Sequence, residues 1–405
     1  MLIKRDRQII LGLNIFLILL LPGLINTVTD YSSLAPGLVI ASVLLLALNL
    51  LLGARLRANH IFFIIGIFCL ILISSGISYV NYDTLRPLFS SVLIICVVWV
   101  LSFLYLYQTC SMKQVMDAVR MSVVALFFIG WINFLNLFFY GRELLIFFGE
   151  ASHYALTAAI LFPPMVALSS HKVALFLILS SLLFAVTFPS LTFLVITGMC
   201  SFLYLCRFKF NIIVSFIVVI SGFWIMYIYL PDANEYFISR VNLEGSNLSL
   251  LVYIQGFYLA WYNLVGTFGL GLGYQMLGEA GTALPEISYL IASIKYDEAF
   301  SSISSGGFVA AKLVAEFGVI GCLLVIVFLI KWMSNLSRLI SIIRLVGKEN
   351  MHTNNEVFLK EVITRSIIFG SFIEIFFRGT GYFSGTLLLL LASLIYLTNK
   401  NKLIP

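Results

Sequence analysis

The chain has 405 residues, of which 61% are hydrophobic and only 10% are charged, and its mean hydropathy is +1.07. A soluble domain carries about 25% charged residues and is about half apolar. The composition therefore excludes a cytosolic enzyme, a secreted disulfide scaffold and a disordered protein. It predicts a polytopic membrane protein, because stretches of about 20 apolar residues form the helices that cross a bilayer.

The apolar stretches predict an all-α fold with about twelve transmembrane helices, in a single transmembrane domain that covers 1–405. The predicted spans are 8–28, 35–53, 61–80, 87–107, 121–140, 154–169, 173–187, 190–206, 211–230, 305–331, 362–378 and 383–398. The first is interpreted as a retained span rather than a signal peptide, because no small-residue cleavage site ends it. The seventh and eighth have an alternative. If Pro189 only kinks one helix, there is one span fewer and the C-terminus changes sides.

The loops that hold the charges predict the orientation, so the net charge of +6 does not indicate a nucleic-acid partner. With the N-terminus inside, 18 of the 24 lysines and arginines fall in inner loops. The six outer ones are Arg86, Arg142, Arg240, Lys295, Lys312 and Arg378. Basic residues collect on the cytoplasmic side of membrane proteins. Both termini are therefore predicted to be cytoplasmic, with one large outer loop at 231–304 between spans 9 and 10.

The cysteines and glycines suggest no cofactor. The six cysteines form no CxxC pattern and no Cys/His cluster, so neither disulfides nor a metal site is expected. The glycine-rich run at 266–274 (GTFGLGLGY) is not a dinucleotide fingerprint, because no strand precedes it and its spacing differs. Its glycines are expected to form tight turns and to bring backbone into close approach.

Ionisable residues at the outer ends of the spans are the candidates for chemistry. A cation at this level needs a counter-ion, water or an anionic ligand. Arg142 either pairs with Glu143 as a cap or binds a ligand, and Arg240, which opens the large loop, is either interfacial or a ligand for phosphate. Two pairs spaced four residues apart, Lys312 with Glu316 and Glu374 with Arg378, are expected to face the interior.

Three further groups of residues complete the candidates. Glu150 and His153 could together activate a hydroxyl, or they could begin a helix in which the histidine only packs. Gln255 lies in a predicted amphipathic helix on the bundle. Lys295 and Asp297 precede a serine-rich stretch that either lines a polar pocket or caps the tenth span.

Several of these motifs, in this order, resemble the bacterial O-antigen polymerase and ligase superfamily, and more closely its polymerases. The resemblance rests on 148–155 (FGEASHYA), on Arg240, on 269–273 (GLGLG) and on 315–321 (AEFGVIG). It extends over most of the chain through the order of the motifs and the late position of the dominant outer loop. Members of the superfamily often have a second arginine in that loop, whereas Arg240 is the only one here.

The resemblance implies a metal-independent glycosyltransferase without a cofactor, in the bacterial inner membrane, with its active site facing the periplasm. It would join undecaprenyl-pyrophosphate-linked oligosaccharide repeat units for lipopolysaccharide. A chain-length regulator and a flippase are the expected protein partners. Arg240 would clamp the pyrophosphate, and Glu150 and His153 would activate the acceptor. Position adds Arg142 and Arg378 as substrate-binding residues, with Lys295 or Arg378 in place of the second arginine.

Two alternatives remain open at this point. The chain could be an O-antigen ligase, which transfers glycan to the lipid A core, although the lack of a second arginine in the large loop argues mildly against it. It could also be a flippase or transporter for lipid-linked oligosaccharides that catalyses no reaction. A transporter would place ionisable groups along a path through the bilayer, whereas here they are expected at the outer ends of the spans.

Overall fold

The computed structural model of the protein describes most of the chain. The described residues are 2–29, 34–55, 58–140, 147–148, 151–187, 190–208, 213–215, 217–221, 248–279, 281–294, 302–346 and 356–400. Within these ranges all regular structure is helical. This agrees with the all-α fold that the apolar stretches predict.

The described part of the chain contains fifteen α-helices with defined bounds. They are α1 (Leu2–Thr29), α2 (Ala35–Leu51), α3 (Ala58–Tyr82), α4 (Arg86–Phe89), α5 (Leu93–Thr109), α6 (Met112–Tyr140), α7 (Ala151–Leu168), α8 (His171–Thr187), α9 (Leu191–Arg207), α10 (Leu248–Gly266), α11 (Glu286–Ile294), α12 (Val309–Val346), α13 (Glu356–Gly370), α14 (Phe372–Phe376) and α15 (Gly385–Lys400). A 3₁₀ turn, Ser90–Val92, joins α4 to α5.

Several of these helices are apolar enough to lie in a membrane. Four stretches are also long enough to cross it, namely Arg7–Thr29, Arg86–Thr109, Met112–Tyr140 and Val309–Leu345, and six shorter apolar helices accompany them. The fold is therefore that of a polytopic, membrane-embedded helical protein. The number of spans, twelve, stays a prediction.

Two separate helices lie on either side of Pro189, as the spans 173–187 and 190–206 predict, and these helices, α8 and α9, pack against each other. Two other predicted spans differ from the observed helices in where they end. The helix predicted at 305–331 continues to Val346, because Leu339, Ile342 and Ile343 bury themselves in the core beyond the expected end. The helix predicted at 362–378 ends at Gly370 and is followed by the separate short α14. Most of the predicted span 211–230 lies outside the described residues.

Helix α7 lies at the centre of the bundle, packed against α6, α9 and α13. Gly370 of α13 lies so close to the Ala159 carbonyl that a Cβ would overlap it. Five residues further along α7, Pro164 lines the same small cavity as Ile363, which is seven residues earlier in α13. The two helices are therefore antiparallel, and α14 lies towards the beginning of α7.

A buried, neutral polar network joins α1, α2 and α5 inside the bundle. The Asn14 and Asn49 side chains exchange amide hydrogen bonds of 2.8 and 3.1 Å, and Trp99 Nε1 donates to Asn14 Oδ1 at 2.8 Å. Asn49 also donates to Ser102 Oγ at 2.9 Å. Interhelical hydrogen bonds of this kind hold helices together where a hydrophobic driving force is weak.

The two ends of the bundle differ in charge and in how the helices finish. One end, which we call the basic end, contains the C-termini of α5, α7 and α9. Basic side chains bond the last carbonyls of each: Lys360 bonds Tyr107 and Cys110, Arg207 bonds Ser169, and Arg344 bonds Cys206. Such contacts satisfy the free carbonyls of a helix terminus and complement its dipole. The opposite end, which we call the loop end, contains 267–285 and 377–384.

We expect Lys360→Met to lower the stability of the folded protein by about 1–3 kcal/mol, because it leaves buried carbonyls at the end of α5 without a donor. Lys360 is 8% exposed, and its ammonium group donates to three carbonyl groups of that segment, those of Tyr107, Gln108 and Cys110. The measurement is the melting midpoint of the purified protein in detergent. Lys113→Met, at an exposed position of the same end, is the matched control and should leave the midpoint unchanged.

Candidate functional site at the loop end of the bundle

A break in α12 creates the backbone of the site. Gly318 has φ +56° and ψ −129°, which interrupts the helix and frees carbonyls in the preceding turn. The glycine run at 269–273 docks there: Leu272 N donates to Ala315 O at 3.0 Å, Gly273 N donates to Glu316 O at 2.8 Å, and Val319 N donates to Gly269 O at 2.8 Å. The close backbone approach predicted for this run is therefore confirmed.

Glycine is required at this contact for two reasons. Gly271 has φ +81°, a conformation that costs other residues strain. A Cβ on Gly271 would also overlap the Glu316 carbonyl and lie 2.5 Å from the Gly318 nitrogen. The loop can approach α12 this closely only because Gly271 and Gly318 have no side chain at the contact.

A buried ion pair lies in the turns of α12 just before the break. Lys312 Nζ is 3.6 Å from Glu316 Oε1, and the two side chains are 3% and 0% exposed. The same ammonium group donates to Ser304 O at 2.7 Å and to Gln275 Oε1 at 3.2 Å. Glu316 Oε1 also accepts from Leu277 N at 3.3 Å. The pair that the spacing predicts is confirmed, and it links α12 to two other segments.

Two tyrosines enclose this ion pair. Lys312 Nζ lies 5.0 Å from the ring centre of Tyr382, and that ring stacks on Tyr274 with centroids 6.1 Å apart. Burial raises the pKa of both phenols, to well above the ordinary value for Tyr382, and the nearby Glu316 carboxylate raises each of them further. Both phenols therefore stay protonated at physiological pH and do not act as bases.

The loop at 377–384 closes the site from the side of α14. Gly379 N donates to Gly307 O at 3.0 Å, which holds this loop over the beginning of α12. Glu374 is 1% exposed and accepts a hydrogen bond from the hydroxyl of Thr386. The expected pair between Glu374 and Arg378 is wrong: α14 ends before Arg378, so the two residues no longer share a helix face. The described ion pairs do not join them.

A partly exposed ion pair lies at the edge of the site. Arg86 Nη1 donates to Glu279 Oε1 at 2.8 Å and to Leu277 O at 3.2 Å, and both side chains are about 30% exposed. Tyr274 donates to Ser90 O at 3.3 Å close by. These contacts attach the end of the glycine loop, around 274–279, to the beginning of α4.

The arrangement combines buried charges with a less buried rim. Lys312 and Glu316 are engaged by protein groups, so they hold the segments in place. The guanidinium group of Arg86 is about 30% exposed at the rim, and such groups bind phosphate oxygens well. Carboxylates and neutral phenols can bond sugar hydroxyls. Among the described residues there is no group of three or more potential metal ligands.

The structure places three of the predicted site residues. Arg378 follows α14 at the rim of the site. His153 lies half-buried in the first turn of α7, and the antiparallel packing of α7 with α13 puts it at the same end of the bundle. Gln255 is fully buried, and its amide bonds Ser288 Oγ at 2.9 Å and Ser302 Oγ at 2.8 Å. Gln255 therefore joins α10 to α11 and to the turn before α12, and a role in substrate binding stays a prediction.

The remaining predicted site residues are Arg142, Glu150, Arg240, Lys295 and Asp297, and all of them lie outside the described residues. Their roles stay predictions.

Sequence reasoning did not include Gln275, Tyr274, Tyr382 and the pair of Arg86 with Glu279 among the site residues. Arg86 was visible as one of only six outer basic residues. The two tyrosines directly follow glycines, and Gln275 lies two residues after one. A polar side chain next to a turn glycine is a pattern that could have indicated site residues. Nothing in the spacing indicates which glycine loop meets which helix.

This site and this fold define a class: a helical, polytopic membrane protein with a buried ion pair and a docked glycine loop at one end of the bundle. Comparison of the chain with protein-family models, with curated proteins and with solved structures found no match.

Proposed function

We propose that the chain is an O-antigen polymerase, a membrane glycosyltransferase that joins undecaprenyl-pyrophosphate-linked repeat units at the periplasmic face of the bacterial inner membrane. The observation that carries the proposal is the site at the loop end, where Lys312, Glu316 and Glu374 are buried beside the docked glycine loop. The motifs at 148–155, 269–273 and 315–321, which resemble those of this superfamily, belong to or adjoin the same end. Chemistry on a lipid-linked glycan needs charged groups near one membrane surface rather than across it.

The charge at the two ends supports the orientation in this proposal. At the basic end the described basic residues include Arg55, Lys113, Lys172, Arg207, Arg338, Arg344, Lys360 and Arg365, and the acidic ones include Asp117 and Glu361. At the loop end the described acidic residues are Asp83, Glu279, Glu286, Glu316 and Glu374, and the basic ones are Arg86, Lys312 and Arg378. By the positive-inside rule the basic end is cytoplasmic. The loop end is then periplasmic, and twelve spans would leave both termini inside.

In the proposed reaction an acceptor hydroxyl attacks the anomeric carbon of the donor glycan. The new glycosidic C–O bond forms, the C–O bond to the pyrophosphate breaks, and the hydroxyl proton passes to a base. Glu150 with His153 is the proposed base. Arg240, aided by Arg142 and Arg378, would stabilise the departing pyrophosphate. Lysine or aspartate from the large loop, Lys295 or Asp297, would contact the substrate.

The middle of the bundle favours catalysis at one face over transport. A transporter that moves a charged head group needs ionisable or hydrated groups along its path. The polar side chains described as buried between α1, α2 and α5 are instead neutral, and Asn14, Asn49, Trp99 and Ser102 among them bond one another.

The proposal is tested by the lipopolysaccharide ladder of a deletion strain. We expect core carrying a single repeat unit in the deletion, a full ladder after complementation with the wild-type chain, and loss of the ladder with Arg240→Ala. Arg120→Ala is the matched control, since Arg120 is an exposed arginine paired with Asp117 within α6. It should restore the full ladder.

Other outcomes would indicate a different function. Core without any repeat unit in the deletion strain would indicate a ligase. Transfer of lipid-linked oligosaccharide across vesicle membranes without polymer would indicate a flippase. An unchanged ladder in the deletion strain would show that the proposal is wrong.

A further inference from the structure

Helix α10 packs beside α12 and ends near the break in α12, where the chain turns. Gly307 lies against the Val252 carbonyl near the beginning of α12, and Gly269 lies against Val319 below it. The two helices therefore run in the same direction, and the chain reverses after Gly266. It then returns through Gln275 towards the beginning of α12, where Gln275 bonds Lys312. The segment forms a helix, a tight turn and an irregular returning segment.

The turn lies where the lipid-facing surface of α12 begins. Before the break α12 is largely buried, whereas after it the apolar side chains are exposed, beginning with Val319 (54%) and Ile320 (64%) and continuing to Met333 (59%). From Val319 to Met333 this surface extends over about 21 Å, at 1.5 Å per residue. A position beside Val319 is thus near one edge of the hydrocarbon layer.

The side chains of the turn are apolar and uncovered. Phe268 is 96% exposed and Leu270 is 82% exposed, and Phe268 has a positive φ of +52°. Trp261 (63%) and Tyr262 (46%) are exposed higher on α10. Seven residues, or about 10 Å of helix, separate Trp261 from Phe268. Tryptophan and tyrosine prefer the head-group level, and phenylalanine and leucine prefer the acyl region below it.

The amide groups of the turn are satisfied without water. The amides of Thr267, Phe268, Gly269 and Leu270 donate to the carbonyls of Asn263, Val265, Leu264 and Thr267, at 2.8–3.1 Å. The Gly271 amide donates to the hydroxyl of Thr267 at 2.8 Å, and the Gly269 carbonyl accepts from Val319 N. Irregular backbone can enter hydrocarbon only when its polar groups are bonded within the protein. A turn built to lie in water has no such requirement.

We propose that 265–270 is a re-entrant turn inserted into the outer acyl layer of the bilayer, with Trp261 and Tyr262 at the level of the lipid head groups. Its partner is the lipid itself. The insertion places Lys312, Glu316 and the rim of the site at head-group depth. A lipid-linked substrate would then meet the site from the side, without leaving the membrane. The insertion does not depend on the proposed polymerase activity.

The test measures where Phe268 and Leu270 lie in native membranes. Phe268→Cys and Leu270→Cys are made in the full chain, and the parent chain with its six native cysteines gives the background. Glu286→Cys, at an exposed charged position of the loop end, is the matched control. A membrane-impermeant maleimide should label positions 268 and 270 at least about tenfold more slowly than position 286, because a thiol in hydrocarbon does not ionise or meet the reagent.

A second measurement separates lipid from protein as the covering. A fluorescent nitrobenzoxadiazole label at position 268 should be quenched by phosphatidylcholine that carries a spin label on its acyl chain, and the label at position 286 should not. Labelling of 268 and 270 as fast as 286 would overturn the proposal. Slow labelling without quenching by the spin-labelled lipid would also overturn it, since the turn would then be covered by protein. The lipopolysaccharide ladder tests the polymerase separately.

Discussion

Replacing Lys312 by methionine is expected to destabilise the protein by about 3–5 kcal/mol, the usual cost of leaving a buried charge without its partner. Glu316 is 0% exposed, and Lys312 is the cation that pairs with it in the described residues. The substitution also removes the donor that holds Ser304 and Gln275. We therefore expect a large fall in the melting midpoint in detergent and a low yield of folded protein.

Two variants make this result specific to the ion pair. Lys331→Met makes the same change at an exposed position of the same helix and should leave the midpoint close to that of the parent. Lys312→Met combined with Glu316→Gln removes both charges, so it should be more stable than Lys312→Met alone. Glu316→Gln alone completes the set. If the loss of stability in the double variant equalled the sum of the losses in the two single variants, the two side chains would not be coupled and the role assigned to the pair would be wrong.

The second large effect is expected from Gly318→Ala at the break in α12. The φ and ψ of Gly318 lie in a region that is nearly exclusive to glycine, and a Cβ would overlap the Gly269 carbonyl. Strain and overlap each cost about 1–3 kcal/mol, so we expect a loss of about 2–6 kcal/mol. The glycine loop should also detach from α12, which makes the 267–279 segment more sensitive to protease.

Gly76→Ala is the matched control for this substitution. Gly76 is an exposed helical glycine of α3, and a Cβ there would meet no heavy atom within 4 Å. The change should be neutral or slightly stabilising, because alanine favours helix over glycine. Equal melting midpoints for Gly318→Ala and Gly76→Ala would show that the loop does not depend on the break.

Together the two experiments examine how the site is held. Lys312 and Glu316 connect side chains of three segments, whereas Gly318 and Gly271 connect backbones. Both contacts hold 271–279 in place, and this segment carries Tyr274 and Gln275. Loss of either contact should therefore disturb the same region of the loop end, which limited proteolysis can locate.

Much of the fold is predictable from the sequence because apolar length is a local property. The runs behind α1, α2, α6 and α8 can each be counted without knowing their neighbours. The spacing of four between Lys312 and Glu316 likewise predicts their pairing, since helical geometry alone brings them together. The excess of lysine and arginine in one set of loops is local too, and it matches the basic end of the structure.

Other features depend on contacts between distant segments. The expected pair of Glu374 and Arg378 does not form, because α14 ends early and the hydroxyl of Thr386 bonds Glu374 instead. No pattern in the sequence shows that the glycine run at 269–273 docks at Gly318, some 45 residues later in the chain. Helix α12 extends beyond its predicted end for the same kind of reason, since its last turns pack into a core built by other helices.

The sequence by itself determined that this protein is helical and membrane-embedded and which of its residues carry unusual charge. These properties follow from transfer free energies and helical spacing, which each segment expresses alone. The tertiary structure alone decided which charges meet, where α12 breaks and how the turn at 265–270 is oriented. Those outcomes depend on backbone hydrogen bonds and on close contacts between segments far apart in the chain, and such contacts exist only after the helices have packed.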